Sequence, residues 1–221
     1  MFKGCSSLKV LKMTGINTSN VKDMGYMFDG CASLTDIDLG SFKTSAAVSM
    51  AHMFFQCSSL KTLDLRTFDT SNVTDMTEMF QECLNLTELK IQGFNTSRVT
   101  DMASMFEECA SLTHLDLKNF ETPCVKSMCG MFSNCKALAK LDLSGFDTSK
   151  TTDMSYMFYG CSKLSEIDIA KFDLSGVNNM QGMFERCGSI KTLKLPQIVS
   201  EDVRTENLFD GCPEDMHIIM E

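Results

Sequence analysis

Residues 53–76 read M-F-F-Q-C-S-S-L-K-T-L-D-L-R-T-F-D-T-S-N-V-T-D-M, and Met79-Phe80 then starts the string again, 26 residues after Met53-Phe54. The same pair returns as Met27-Phe28, Met105-Phe106, Met131-Phe132, Met157-Phe158 and Met183-Phe184, with Met1-Phe2 before and Leu208-Phe209 after. Three residues beyond each Phe stands a cysteine: Cys5, Cys31, Cys57, Cys83, Cys109, Cys135, Cys161, Cys187 and Cys212. One column thus holds nine of the 11 cysteines, and the repeat also accounts for the 18 Met and 16 Phe. About eight and a half copies of a unit of this length identify a solenoid, in which no unit buries its apolar face alone and each stacks on the next.

Two spacings divide the unit. Leu60, Leu63 and Leu65 end in the alternation of a strand, as do Leu112, Leu115, Leu117 and Leu138, Leu141, Leu143, with Ile at Ile37, Ile91, Ile167, Ile169 and Ile190. A Phe follows at Phe42, Phe68, Phe94, Phe120, Phe146 and Phe172, with Ile16 and Ile198 at the ends, and can turn the chain inward. Met76, Met79, Phe80 and Cys83 then fall on one face of a short helix. Just before that face stand Asp23, Ser49, Asp75, Asp101, Ser127, Asp153, Asn179 and Thr205, all suitable helix N-caps. The expectation is an α/β solenoid, with a parallel sheet of about eight or nine short strands on the concave side. One short helical turn per coil occupies the convex side, over a length of roughly 40 Å.

The string M-F-x-x-C-x-x-L-x-x-L-D-L-x-x-F-D-T-S-x-V-T-D-M resembles the BspA-type leucine-rich repeats, in the variant of mycoplasma-type and gut Gram-positive surface proteins. The resemblance spans nearly the whole chain and implies a leucine-rich-repeat fold. It also implies a protein-binding or adhesive role at a bacterial cell surface or in secreted form, without naming a ligand. Residues 1–221 read as one domain. The last unit loses one residue between Val203 and Leu208 and lacks a Met matching Met180, so 208–221 read as a degenerate capping unit. Within it Asp215 to Met220 supply a final strand with Ile218 and Met220 inward. At the other end Met1 is already in register, which would expose Phe2, Leu8, Leu11 and Met13. Upstream residues or a covering partner are therefore expected there.

A hydrophobic content of 43% with 22% charged residues fits a soluble globular chain. No apolar run approaches the length of a membrane span, so no direct membrane insertion is expected, and Lys3, Lys9 and Lys12 interrupt what would have to be a signal peptide. A net charge of −9 argues against nucleic acid. His52, His114 and His217 lie in different columns, and neither a nucleophile motif nor a phosphate-cradling Gly loop is present, so no enzyme and no cofactor are expected. The cysteine column lacks the close pairs that zinc takes, and Cys124, Cys129 and Cys135 form one irregular local cluster. Equivalent side chains point the same way, which favours reduced, buried thiols over disulfides. Reduced thiols suit an anaerobic exterior or a cytoplasmic location.

Strand alternation turns one column outward: Lys12, Asp38, Asp64, Lys90, Asp116, Asp142, Asp168 and Lys194. Two residues earlier on the same face stand Val10, Asp36, Thr62, Glu88, His114, Lys140, Glu166 and Thr192, and two residues later Arg66, Gln92 and Lys118. Within the strip Glu88 can pair with Lys90, Lys118 with Asp116 and Lys140 with Asp142. Asp38, Asp64, Glu88, His114, Asp116, Lys140, Asp142, Glu166 and Asp168 form either a charged recognition strip for a protein or glycan ligand or a solvated sheet face. Flat Asp ladders give calcium poor multidentate geometry. The Thr-Ser column, from Thr18-Ser19 to Thr148-Ser149, could make the flat hydroxyl array of an ice-binding solenoid. Pro123 and Leu174 interrupt it, and turn chemistry explains it better. Three functions stay open: ligand recognition by the sheet, a structural spacer or stalk, and a cytosolic scaffold or effector.

Overall fold

The computed structural model describes residues 1–197 and 202–221 as a parallel β-solenoid of about eight turns. Ile198 of the inward column lies outside the described residues. The leucine runs form β1 (Val10–Lys12), β2 (Asp36–Asp38), β3 (Thr62–Asp64), β4 (Glu88–Lys90), β5 (Glu166–Asp168), β6 (Thr192–Leu195) and β7 (His217–Met220). All pairing is parallel and in repeat register, as in Leu63 beside Leu89 and Ile167 beside Leu193. The expected single sheet is instead three: β1-β2, β3-β4 and β5-β6-β7. Residues 114–116 and 140–142 form no strand, although Leu115, Leu117 and Leu143 are buried as their register predicts.

The continuous ladder lies elsewhere. Asp23, Ser49, Asp75, Asp101, Ser127, Asp153, Asn179 and Arg204 are joined by an unbroken series of parallel bridges, one per coil. The helical turns expected after these residues do not form; among the described residues there is no helix. Alternate N–H groups point to different partners. Met50, His52, Phe54 and Gln56 donate across to Asp75, Thr77, Met79 and Gln81 at 2.8–3.0 Å, while Met53, Phe55 and Cys57 donate back to Met50, His52 and Phe54 at 3.1–3.2 Å. His52 and Gln56 take φ of 56° and 55°, and Glu78, Glu82, Ser104 and Glu108 repeat the pattern. Each coil therefore contributes linked tight turns with a left-handed third residue. The left-handed conformation costs on the order of 1–2 kcal/mol per non-glycine residue. The hydrogen bonds to the next coil offset it, and an isolated helical turn would forgo them. The expected caps still work locally: Asp75 and Asp101 accept the N–H two residues on, at 3.0 and 2.9 Å.

Behind this turn wall, Phe2, Phe28, Phe54, Phe80, Phe106, Phe132, Phe158, Phe184 and Phe209 stack with centroids 5.4–5.9 Å apart. Each ring buried in this way contributes roughly 1.5–3 kcal/mol. Among the described residues the Phe side chains after the leucine strands meet one another at 6.3–6.5 Å as Phe42–Phe68, Phe94–Phe120 and Phe146–Phe172. All three pairs join coils whose leucine runs do not pair with each other as strands. Between the walls Thr18, Thr44, Thr70, Thr96, Thr122 and Thr148 are buried and donate to a carbonyl of the next coil. Burial of the threonines removes the flat hydroxyl array and leaves inter-coil bonding as their role.

In the last coil Arg204 donates to Asn178 O, and its own carbonyl accepts from Met180. One residue there does the work of two, which locates the lost position, and the bridge falls on Arg204 instead of Thr205. The expected final strand forms as β7, with Ile218 and Met220 in register with Leu193 and Leu195. They are 43% and 49% exposed, on the outer edge of the three-stranded sheet. At the opposite end Phe2, Leu8 and Leu11 are partly buried, whereas Met13, expected to be exposed, is buried.

Candidate recognition surface

The strand wall carries the nine residues of the charged strip. Asp38, Asp64, Glu88, His114, Lys140, Asp142, Glu166 and Asp168 are exposed and Asp116 is half-buried. Three clefts gather some of them. Glu88 and His114 line one of about 470 Å³ with Arg66 and Lys90. Lys140, Glu166 and Asp168 line a second of about 340 Å³ with Lys194. Asp142 and Asp168 share a third of about 180 Å³ with Lys171. Asp38, Asp64 and Asp116 line none of these. Arg66, Lys90 and Lys194, of the same outward columns but outside the nine candidate residues, complete these clefts.

The aspartates have a structural duty that the outward pattern concealed. Oδ1 of Asp38, Asp64, Asp116, Asp142 and Asp168 accepts the N–H of Gly40, Arg66, Lys118, Ser144 and Ala170, at 3.0–3.3 Å. An Asp whose oxygen takes the N–H two residues on makes an Asx turn, and here that turn starts the bend toward the Phe corner. The signal was present in L-D-L-x-x-F: the residue preceding a bend is a turn former. Asp64 also holds the Arg66 guanidinium at 2.6 and 2.9 Å, and that hydrogen-bonded pair lowers its pKa to about 2. The Ser144 side-chain bond lowers Asp142, and the Lys194 ammonium, 3.1 Å away, lowers Asp168. Glu88 meets Lys90 at 3.2 Å as the spacing predicted. Among the described residues no ion pair joins Lys118 to Asp116 or Lys140 to Asp142. Nor do any three His, Cys, Asp or Glu converge as a metal ion would require.

Residues 1–112 and 83–197 match the family described as "Mycoplasma protein of unknown function, DUF285". The chain belongs to this family. The two overlapping matches follow the repeat through all but the degenerate end, so membership in DUF285 rests on the repeat itself. No curated protein matches the chain. Among solved structures, it is similar to a leucine-rich repeat protein from Bacteroides ovatus, with 17% identity and a TM-score of 0.42, covering 99% of this chain and 64% of that one. It is also similar to a leucine rich cell surface protein from Faecalibacterium prausnitzii, with 19% identity and a TM-score of 0.35, covering 100% of this chain and 75% of that one. The DUF285 chain thus spans just under two-thirds of the Bacteroides protein's length.

Proposed function

We propose that this chain is a non-catalytic recognition module whose strand wall binds a protein or glycan ligand, in a protein displayed at or released from a bacterial surface. The observation that carries the reading is the convergence of Glu88 with His114, and of Lys140 with Glu166, in clefts of the strand wall. Among the described residues none of these four side chains is hydrogen-bonded to backbone, and of the four Glu88 alone carries an ion pair, to Lys90 at 3.2 Å, which leaves polar groups available to a ligand on a rigid scaffold. The test is binding of the intact chain to a glycan array and a panel of matrix proteins, beside a Glu88→Ala, His114→Ala, Lys140→Ala, Glu166→Ala variant of equal thermal stability. Ligands bound by the first and lost by the second support the reading. Ligands retained by both move recognition off this wall.

The Asx bonds of Asp38, Asp64, Asp116, Asp142 and Asp168 favour a second reading, a rigid spacer without a ligand of its own. Absence of any binding in the same assays supports it. A cytosolic scaffold is compatible with the free thiols and would bind protein but not glycan.

A further inference from the structure

The turn wall carries a notch that the strand-wall reading does not use. The left-handed third residue of the first turn is Tyr26, His52, Glu78, Ser104, Gly130, Tyr156, Gly182 and Asn207 in successive coils. The repeated backbone stacks these side chains: Tyr26 lies on His52 with centroids 4.3 Å apart. A glycine deletes a rung. Tyr156 covers the rung of Gly182, since a Cβ there would lie 2.6 Å from its Cε1. No ring covers the rung of Gly130: a Cβ there would meet the Ser104 hydroxyl at 3.0 Å, and beyond it the wall is hollow as far as Tyr156. The resulting notch, about 560 Å³, is bordered by Tyr156, Tyr159, Glu107 and Glu185, and no Lys or Arg lines it. Tyr159 stands edge-on to Tyr156 at 6.0 Å.

The protein itself fills the equivalent space five coils away. There the Lys3 ammonium lies 4.1 Å from the centroid of the Tyr26 ring and 2.7 Å from Asp29 Oδ2. The residue related to Tyr156 as Lys3 is to Tyr26, 23 positions earlier in each case, is Ser133. Ser133 is small and buried, and among the described residues no cation lies over Tyr156 as Lys3 does over Tyr26. The Arg186 guanidinium, 5.4 Å from the Tyr159 ring and 3.7 Å from Glu185, repeats the pairing of a cation with a ring and a carboxylate beside the notch. A tyrosine face attracts a cation through its quadrupole, most strongly where water is partly excluded. Glu107 is half-buried, which raises its pKa although Gln81 Nε2 donates to it at 2.7 Å, and an entering cation would relieve that cost.

We propose that the notch between Gly130 and Tyr156 is a socket for an alkylammonium group, seated over Tyr156 between Glu107 and Glu185. The group is carried either by a lysine side chain of a partner or by a free amine. The full chain with ring-labelled tyrosine has three reporters, Tyr26, Tyr156 and Tyr159. It would be titrated at constant ionic strength with N-acetyl-lysine methylamide, n-butylammonium and uncharged N-acetyl-norleucine methylamide. Saturable shifts of the Tyr156 and Tyr159 ring signals with both amines, and none with the norleucine derivative, are expected. Tighter binding of the lysine derivative assigns the group to a partner's side chain, and equal binding assigns it to a free amine. Paired Glu107→Gln and Glu185→Gln substitutions, which leave the rings in place, should weaken binding about fivefold or more. Lys3→Ala should make Tyr26 respond in the same way. Equal shifts with the norleucine derivative, or a Tyr156 ring silent to both amines, would overturn the proposal.

Discussion

The thiol of Cys83 donates to the carbonyl of Phe54, 3.3 Å away in the preceding coil, and that same carbonyl takes the N–H of Cys57 at 3.1 Å. The S–H donor recurs from Cys31 to Cys212, at 3.0–3.3 Å, always to the Phe of the coil before. A cysteine here is a small apolar filler that also ties two coils together. Replacing Cys83 by Ala removes the bond and leaves a small void. We expect a loss of about 1–2 kcal/mol, read as a lower thermal midpoint under reducing conditions. An unchanged midpoint would mean that the thiol contributes packing only.

Burial also decides thiol reactivity. All 11 cysteines are free; Cys5 is exposed, whereas desolvation pushes Cys83 and Cys135 up to about 12. At pH 8 Cys5 should be alkylated first, then the half-buried Cys124, Cys129 and Cys212. Cys83 and Cys135 should react only after denaturant is added. Rapid native labelling of Cys83, mapped by mass spectrometry, would contradict the buried column.

Thr70 makes two bonds with one hydroxyl, donating to Asn95 O at 2.9 Å and accepting from Asn95 N at 2.8 Å. Thr70→Val keeps the shape but strands a backbone N–H in a buried site. The expected cost is about 2–3 kcal/mol, while Thr70→Ser retains both bonds and costs less. Chemical denaturation of the two variants checks the order, and equal stability would remove the bridge from the account.

Acid should weaken the fold through its Asx aspartates. Side-chain hydrogen bonds lower Asp69, Asp142, Asp147 and Asp173 through Ser71, Ser144, Ser149 and Ser175, and lower Asp64 through Arg66 to about 2. A depressed folded pKa contributes stability above the unfolded value near ~4 and loses it as pH falls through the folded value. Melting points should therefore hold from pH 7 to 5 and drop below about pH 4. All five groups are largely solvated, so each step is small and salt-screened. A midpoint that is flat down to pH 2.5 would contradict this.

Glu107 has the opposite sign. Burial first, and then Glu108, Glu78 and Glu82, raise its pKa, so its contribution is greatest below the unfolded value and declines as pH rises through the folded one. Glu107→Gln should melt no lower than the parent at pH 7, and the difference should vanish near pH 4. Its amide can still accept from Gln81 Nε2, now 2.7 Å from the carboxylate, and it brings a donor near the buried, unpartnered Gln81 Oε1. A lower midpoint at pH 7 would show that the charge is stabilising.

The one-dimensional repeat made much of the molecule legible. Phe80 and Cys83 recur at a fixed interval, and stacking identical units places identical side chains together, so the buried columns and parallel register follow from spacing alone. The outward strip was legible as exposure, and L-D-L-x-x-F carried the turn signal as well, but alternation alone leaves Asp142 the same whether it faces solvent or accepts the N–H of Ser144. The notch at Gly130 was harder to see. Its lining comes from separate coils, and its meaning depends on how Tyr156 lies against Gly182 and on the cation that Lys3 places over Tyr26.

The sequence by itself determined the period, the inward columns, the family resemblance and the capping residues such as Asp75, which accepts the N–H of Thr77. Only the tertiary structure decided that Met76, Met79, Phe80 and Cys83 wind as stacked turns and not as a helix. Their i, i+3, i+4, i+7 spacing satisfies both conformations, since each buries the same four side chains. The choice depends on where alternate backbone N–H groups find acceptors. Here the neighbouring coil supplies them: Met76 donates to Asp101 O at 3.1 Å and Phe80 to Met105 O at 2.9 Å. A partner 25 residues away leaves no mark on the local pattern that would separate the two.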